Sequence, residues 1–232
     1  MKQLADGVWQ LRGIPPNAIN VYVLDDVLID AGTKFAHRRI LRQLRGHTLS
    51  AHALTHAHPD HQGSSRRVCE TLGIPLWCPE GDVAAMEDGD ILGRMPDSLI
   101  NRINDRLMTG PPYKVDRVLR ESDEVAGFAV LDVPGHSAGQ VAYWRASDRT
   151  LICGDVLNNM NLVTGIPGLH EPPRAFTSDP PRNRESARRL VELEPALACF
   201  GHGPPLRDAR KFVEFVESKA KYRALSRLRH DS

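Results

Sequence analysis

SAHALTHAHPDHQG, residues 50–63, changes character halfway along its length. Its first half, SAHALTH, has the short apolar rhythm of a strand, and the strand ends in a cluster of side chains that bind metals, His56, His58, Asp60 and His61. In an extended segment residues two apart share a face, so His56 and His58 can grip one cation. Where the chain then turns towards a helix expected from about Gly63 to Leu72, Asp60 and His61 are redirected towards a neighbouring position.

Three later segments repeat the same local form, an apolar strand pattern closed by Gly or Pro-Gly and followed by a ligand type. They are FAVLDVPGH with His136, TLICGD with Asp155 and ALACFGH with His202. Loops just past strand ends are where sheets present functional groups. With the first cluster these positions supply five histidines and two aspartates, enough for two cations per chain with a carboxylate between them. Imidazole with carboxylate suits Zn2+ first and Fe or Mn after it. A single His136 or His202 would ordinarily be a hydrogen-bonded structural histidine, and a single Asp155 a turn or cap residue. It is their joint occurrence behind three strand patterns that argues for a metal site.

Outward from this cluster, GVWQL, AINVYVL and VLIDAG are expected as antiparallel strands. A helix is expected over Lys34 to Arg45, with Phe35, Ile40, Leu41 and Leu44 at helical intervals, followed by SAHALTH as a strand. PLWCP gives a short strand and Asp82 to Met86 a brief helix; FAVLDVPG, QVAYWR and TLICGD form a meander. Asp179 to Glu194 carries an N-cap candidate and early prolines, so it is expected as a helix, ahead of the strand ALACF and a closing helix with Phe212, Val213, Phe215 and Val216. Strands followed by helix occur twice, which predicts an α/β architecture of two sheets faced outward by helices, a single domain over 1–232. Glu87 to Tyr113 and Leu157 to Asp179 lack regular pattern and are expected as loops over the site. Met86, Met95, Leu99, Ile103 and Met108 are candidates for an apolar lid, and His170 with Asn158 to Asn161 for substrate contacts, although core packing and plain turns are the commoner uses of such residues. His37, His47, His52 and His230 have no ligand context.

The 232 residues are 41% hydrophobic and 25% charged, with a formal net charge of +1. No basic field favours nucleic acid or an anionic membrane, and no apolar run approaches the roughly 18 residues of a spanning helix, so the expected partner is a small-molecule substrate. MKQLADGVWQLRG lacks an apolar stretch of signal-peptide length, which predicts a cytoplasmic location. Cys69, Cys78, Cys153 and Cys199 form no CxxC pair and are expected as buried thiols.

In this order HAHPDH, His136, Asp155 and His202 resemble the metallo-beta-lactamase superfamily pattern HxHxDH, His, Asp, His, and LIDAGT with Asp30 resembles its first, non-ligand Asp motif. The resemblance spans about residues 20 to 205. It implies a four-layer αββα sandwich with the metals at one edge, His56, His58 and His136 on the first metal, Asp60, His61 and His202 on the second, and Asp155 bridging. It also implies a hydrolase in which a hydroxide between two metals attacks a small ester, thioester or lactone, with Asp60 orienting the nucleophile and later carrying a proton. THxHxDHxGG is the form found in glyoxalase II and related thioesterases and lactonases. Here the tail is HQGSS, and only thirty residues follow His202 where glyoxalase II carries a helical glutathione-binding domain, which points away from glutathione thioesters. Exported two-zinc beta-lactamases often use Cys at the second metal, and His61 in the cluster speaks against that use here. The alternatives are a mono-iron persulfide-dioxygenase-like oxidoreductase using only the first three-ligand set with Asp155, a phosphodiesterase, and a binding protein without turnover.

Overall fold

In the computed structural model, which describes residues 1–208 and 210–218, two sheets lie face to face with helices on both outer sides. The first sheet takes its strands in chain order: β1 (Lys2–Ala5), β2 (Val8–Gln10), β3 (Tyr22–Leu24), β4 (Val27–Ile29), β5 (Ala51–Ala53), β6 (Leu76–Pro79) and β7 (Arg117–Leu119). Pairing is antiparallel as far as β4 and parallel from β4 to β7. Parallel neighbours need a crossover, and here α1 (His37–Gln43) joins β4 to β5, while α2 (Pro59–Gln62) and α3 (Ser65–Leu72) join β5 to β6. Between β6 and β7 the chain forms α4 (Val83–Asp88) and α5 (Leu99–Met108).

The second sheet is built from β8 (Glu124–Val125), β9 (Phe128–Asp132), β10 (Val141–Arg145) and β11 (Thr150–Ile152). A separate hairpin, β12 (Asn158–Met160) with β13 (Pro167–His170), and α6 (Pro180–Val191) then lead to β14 (Leu197–Cys199), which pairs parallel with β11. Residues 210–218 are helical. His230 lies outside the described residues.

Period-two alternation explains the layering. In β4, Val27 and Ile29 join a core with Phe128, Val130, Val141 and Tyr143 of the second sheet, whereas Leu28 points the other way, towards Ile40 of α1 and Val68 of α3. On the far side of the second sheet, Ala142 and Leu151 pack with Ala187 and Leu190 of α6 and with Phe212 and Val216. The result is the αββα sandwich. All four cysteines are buried free thiols. Among the described residues no helix is long and apolar enough to cross a membrane.

Several sequence expectations need correction. The helix expected over Lys34 to Arg45 is only His37–Gln43; Lys34 N–H is held by the Met108 carbonyl at 2.9 Å, and Phe35 stands 72% exposed outside the helix. The helix expected from Gly63 starts earlier and is split, because Pro59 opens α2 at its first position, where a missing N–H costs nothing. Glu87 to Tyr113 is no plain loop: it contains α5, capped by the Ser98 hydroxyl, which accepts from Asn101 N–H. Leu157 to Asp179 contains the β12–β13 hairpin. By contrast Asp179 caps α6 as expected, accepting from Arg182 N–H.

Candidate metal centre

The expected ligands gather at one edge of the sandwich. His56 follows β5, His136 follows β9, Asp155 follows β11 and His202 follows β14. His58, Asp60 and His61 come from the turn into α2 and from α2 itself. The structure brings all seven together. One potential ligand atom from each of His56, His58 and His136 lies within 4.8 Å of the others, and the same holds for Asp60, His61 and His202, and for His56, His61 and Asp155. Asp155 stands between the groups: Oδ2 is 3.6 Å from His136 Nε2 and 3.1 Å from His202 Nε2, and Oδ1 is 3.6 Å from His61 Nε2. Except for the half-buried Asp60, all are buried.

Hydrogen bonds on the outer side of the rings fix which nitrogens face inward. Asp30, held at φ 59°, accepts from Thr55 N–H and Thr55 hydroxyl, both at 2.8 Å, and from His61 Nδ1 at 2.8 Å. With its proton given to Asp30, Thr55 Oγ1 accepts from His56 Nδ1 at 3.0 Å. Thr177 likewise gives its proton to the Pro173 carbonyl at 2.9 Å and accepts from His136 Nδ1 at 3.2 Å. His202 Nδ1 donates to the Ala18 carbonyl. Four of the rings therefore turn Nε2 to the interior, the orientation that a metal-binding histidine requires. His56 Nε2, His61 Nε2 and Asp155 Oδ1 are buried and make no hydrogen bond among the described residues. Buried polar atoms left without partners are rare and costly, and a divalent cation would satisfy all three. The donor set fits two such ions.

Charge divides the centre. Burial and neighbouring histidines hold His56 well below its ordinary range; burial takes His58 down to about 4 and, helped by His58, His136 down to about 3. These rings are neutral at pH 7 and need lose no proton to bind metal. His61 and His202 differ: burial alone would lower them, but Asp30, Asp155 and Asp60 outweigh it at His61, and Asp155 and Asp60 raise His202 to about 10. The metal-free chain thus holds two protons that any cations bound there would have to displace. Since both values lie above the unfolded 6.5, these protons stabilise the metal-free fold below that pH, and for His202 the contribution fades as pH rises towards about 10. Loading metal-free protein with Zn2+ at pH 7 is expected to release ~2 protons per chain, read by calorimetry in buffers of different ionisation enthalpy. Release near zero would contradict this charge state.

Sequence reasoning missed Asp82. Its buried carboxylate accepts from Ala57 N–H at 2.8 Å and Ser137 hydroxyl at 2.9 Å through Oδ2, and from Gly139 N–H at 2.9 Å through Oδ1. Ala57 lies between His56 and His58, and Ser137 follows His136, so Asp82 ties together the two segments of the first trio. Burial raises its pKa, while these donors oppose the rise. Asp82→Ala is expected to weaken the tightest Zn2+ site by about 10–100-fold in a chelator competition, the usual cost of losing a supporting hydrogen-bond partner. Unchanged affinity would remove the role. Asn20 was missed too: its side chain donates to the carbonyls of Phe200 at 2.9 Å and Gly203 at 2.7 Å and fixes the His202 loop. No local signal marks either residue.

The centre opens into a cavity of about 520 Å³ between α5 and the β12–β13 hairpin. Met95 and Met108 line it as expected, but Met86 is core, and Leu99 and Ile103 face solvent while Ile100 takes the lining position. His170 and Asn158 to Asn161 do not line it except through Met160; Asn159 instead supports the His202 loop, its side chain donating to the Pro204 carbonyl at 2.7 Å. His52, buried, bonds to the Leu28 carbonyl and Ser65.

A family model described as the metallo-beta-lactamase superfamily matches residues 14–202. The chain is 28% identical over 212 residues to "Probable metallo-hydrolase YybB" of Bacillus subtilis (strain 168), covering 88% of this chain and 90% of that protein. To the "Hydroxyacylglutathione hydrolase" of Ectopseudomonas mendocina (strain ymp) it is 29% identical over 166 residues, 69% of this chain but 51% of that protein. Among solved structures it is similar to TTHA1623 in a di-iron-bound form, with a TM-score of 0.59 and 30% identity over 89% of this chain and 90% of that one.

Proposed function

The chain belongs to the metallo-beta-lactamase superfamily and is similar to a probable metallo-hydrolase, and from that premise we propose that it holds two divalent cations and uses water to cleave a small ester, thioester or lactone. One observation carries this reading: two complete ligand trios, four of whose histidines turn Nε2 inward, and Asp155 placed between them. His56, His58 and His136 would hold one ion, Asp60, His61 and His202 the other, and Asp155 would touch both. A cation pair supplies Lewis acidity and lowers the pKa of water to around 7. Zinc suits the nitrogen-rich set, and the similar di-iron structure makes iron the next choice.

The chain's own groups account for the remaining steps. Asp60 lines the cavity, with Oδ2 3.2 Å from His202 Nε2, and is the carboxylate placed to accept the proton of the attacking water and deliver it to the leaving group. Burial alone would raise its pKa, but His61 and His202 outweigh that and keep it ionised, in the base form. At saturating metal, Asp60→Asn is expected to lose turnover by on the order of 10²–10⁴-fold; full turnover with both ions retained would exclude the role. No lysine or arginine lines the cavity among the described residues, which disfavours phosphodiesters. The mono-iron alternative would leave the second trio without a task.

Metal-stripped protein should be reloaded with zinc, iron or manganese and offered chromogenic esters, thioesters, lactones and phosphodiesters. Metal-dependent hydrolysis of an acyl substrate is expected. Oxygen uptake with one iron per chain, or no turnover of any substrate, would overturn the proposal.

A further inference from the structure

Apart from the ligand residues, the cavity wall is hydrocarbon. Ile100 and Met108 of α5, Met95 before it, Met160 of β12, Leu162 and Phe176 surround the space, and Asn104 is its one polar residue outside the ligand set among the described residues. A charged group pressed against this wall would lose hydration with no cation to compensate. A methylene chain would gain, because the wall already exposes apolar surface to water: Ile100 is 49% exposed and Val163, also lining, 93%. Three methionines give the wall a flexible, polarizable surface that adapts to chains of different length. The metal ligands and the apolar wall lie in one continuous space, so a reacting carbonyl at the ligands directs its acyl tail towards α5 and the hairpin.

We infer that the substrate's acyl part is a neutral hydrocarbon chain of medium length, seated between α5 and the β12–β13 hairpin, with Ile100, Met108 and Phe176 selecting against charged acyl groups. This rests on the hydrolase reading above for the reaction, but the seat itself is a property of the wall. It also separates this chain from enzymes selecting a polar acyl group, for which the wall offers no partner beyond Asn104.

Two measurements on the metal-loaded protein test it. In the first, kcat/KM is measured for S-acyl N-acetylcysteamine thioesters bearing acetyl, butyryl, octanoyl and 7-carboxyheptanoyl groups. A fully buried methylene contributes about a fourfold gain, so with a partly open wall octanoyl is expected to exceed acetyl by on the order of a hundredfold. The 7-carboxyheptanoyl thioester should fall back at least about tenfold, the cost of one unpaired charge at the wall. In the second, calorimetry compares octanamide with butanamide, and octanamide should bind at least about tenfold more tightly. Ile100→Asp, at a half-exposed position where folding is not at stake, should shrink both the octanoyl-to-acetyl and the octanamide-to-butanamide ratios about tenfold. A flat chain-length series, equal turnover of the carboxylated thioester, or ratios unmoved by Ile100→Asp would overturn the inference. If no thioester is turned over yet octanamide binds preferentially and Ile100→Asp abolishes the preference, the hydrolase reading falls and the apolar seat stands; if octanamide shows no preference either, both fall.

Discussion

Asp155→Ala is expected to drop metal content from two ions per chain to one or fewer and to lower kcat/KM by on the order of 10³ or more, the several kcal/mol that metal-assisted charge stabilisation supplies. Its two oxygens are the groups nearest to both trios, within 3.6 Å of His61 and His136 and 3.1 Å of His202. Elemental analysis beside steady-state kinetics reads both effects. A variant that kept two ions and normal turnover would show that Asp155 is a bystander.

Gly201→Ala is the second large effect, and its cause is steric. A Cβ at this position would stand 1.9 Å from Asp155 Oδ1 and 2.7 Å from His61 Cε1. The backbone cannot retreat easily, because Gly201 N–H donates to the Gly154 carbonyl at 2.9 Å and its own carbonyl accepts from Asn20 N–H at 2.8 Å. The methyl must therefore displace Asp155 and His61 by roughly an ångström, a misplacement that costs on the order of 10² in rate. Overpacking should destabilise the fold by only about 1–3 kcal/mol. A folded protein with depleted metal and a roughly hundredfold lower kcat/KM is expected; wild-type metal content and activity would refute the close approach.

The reach of the sequence follows from locality. His56, His58, Asp60 and His61 fall within six residues, and His136, Asp155 and His202 each stand behind an apolar strand pattern, so type and position are visible without coordinates. The two-sheet sandwich was legible for a related reason, since near-continuous apolar runs such as VLI and VAYWR report strands buried on both faces. Asp82 and Thr177 were not legible, because they act through partners distant in sequence, Ala57, Gly139 and His136, and nothing local separates them from ordinary turn residues. The α5 helix was hidden differently. Its apolar residues point both outward, as Leu99, Ile103 and Leu107, and inward, as Ile100 and Met108, and prolines flank it at Pro96 and Pro111, so it looked like loop. That helix forms a wall of the cavity, so the part of the site that selects substrate was the least readable part.

Metal occupancy is the property on which the proposed chemistry depends. Anomalous diffraction from crystals of the metal-loaded protein, collected across the zinc and iron absorption edges, measures it directly. Two peaks about 3.5–4 Å apart are expected, one among His56, His58 and His136 and one among Asp60, His61 and His202, with Asp155 in reach of both. A single peak in the first trio at saturating metal, or no peak at either trio, would contradict it.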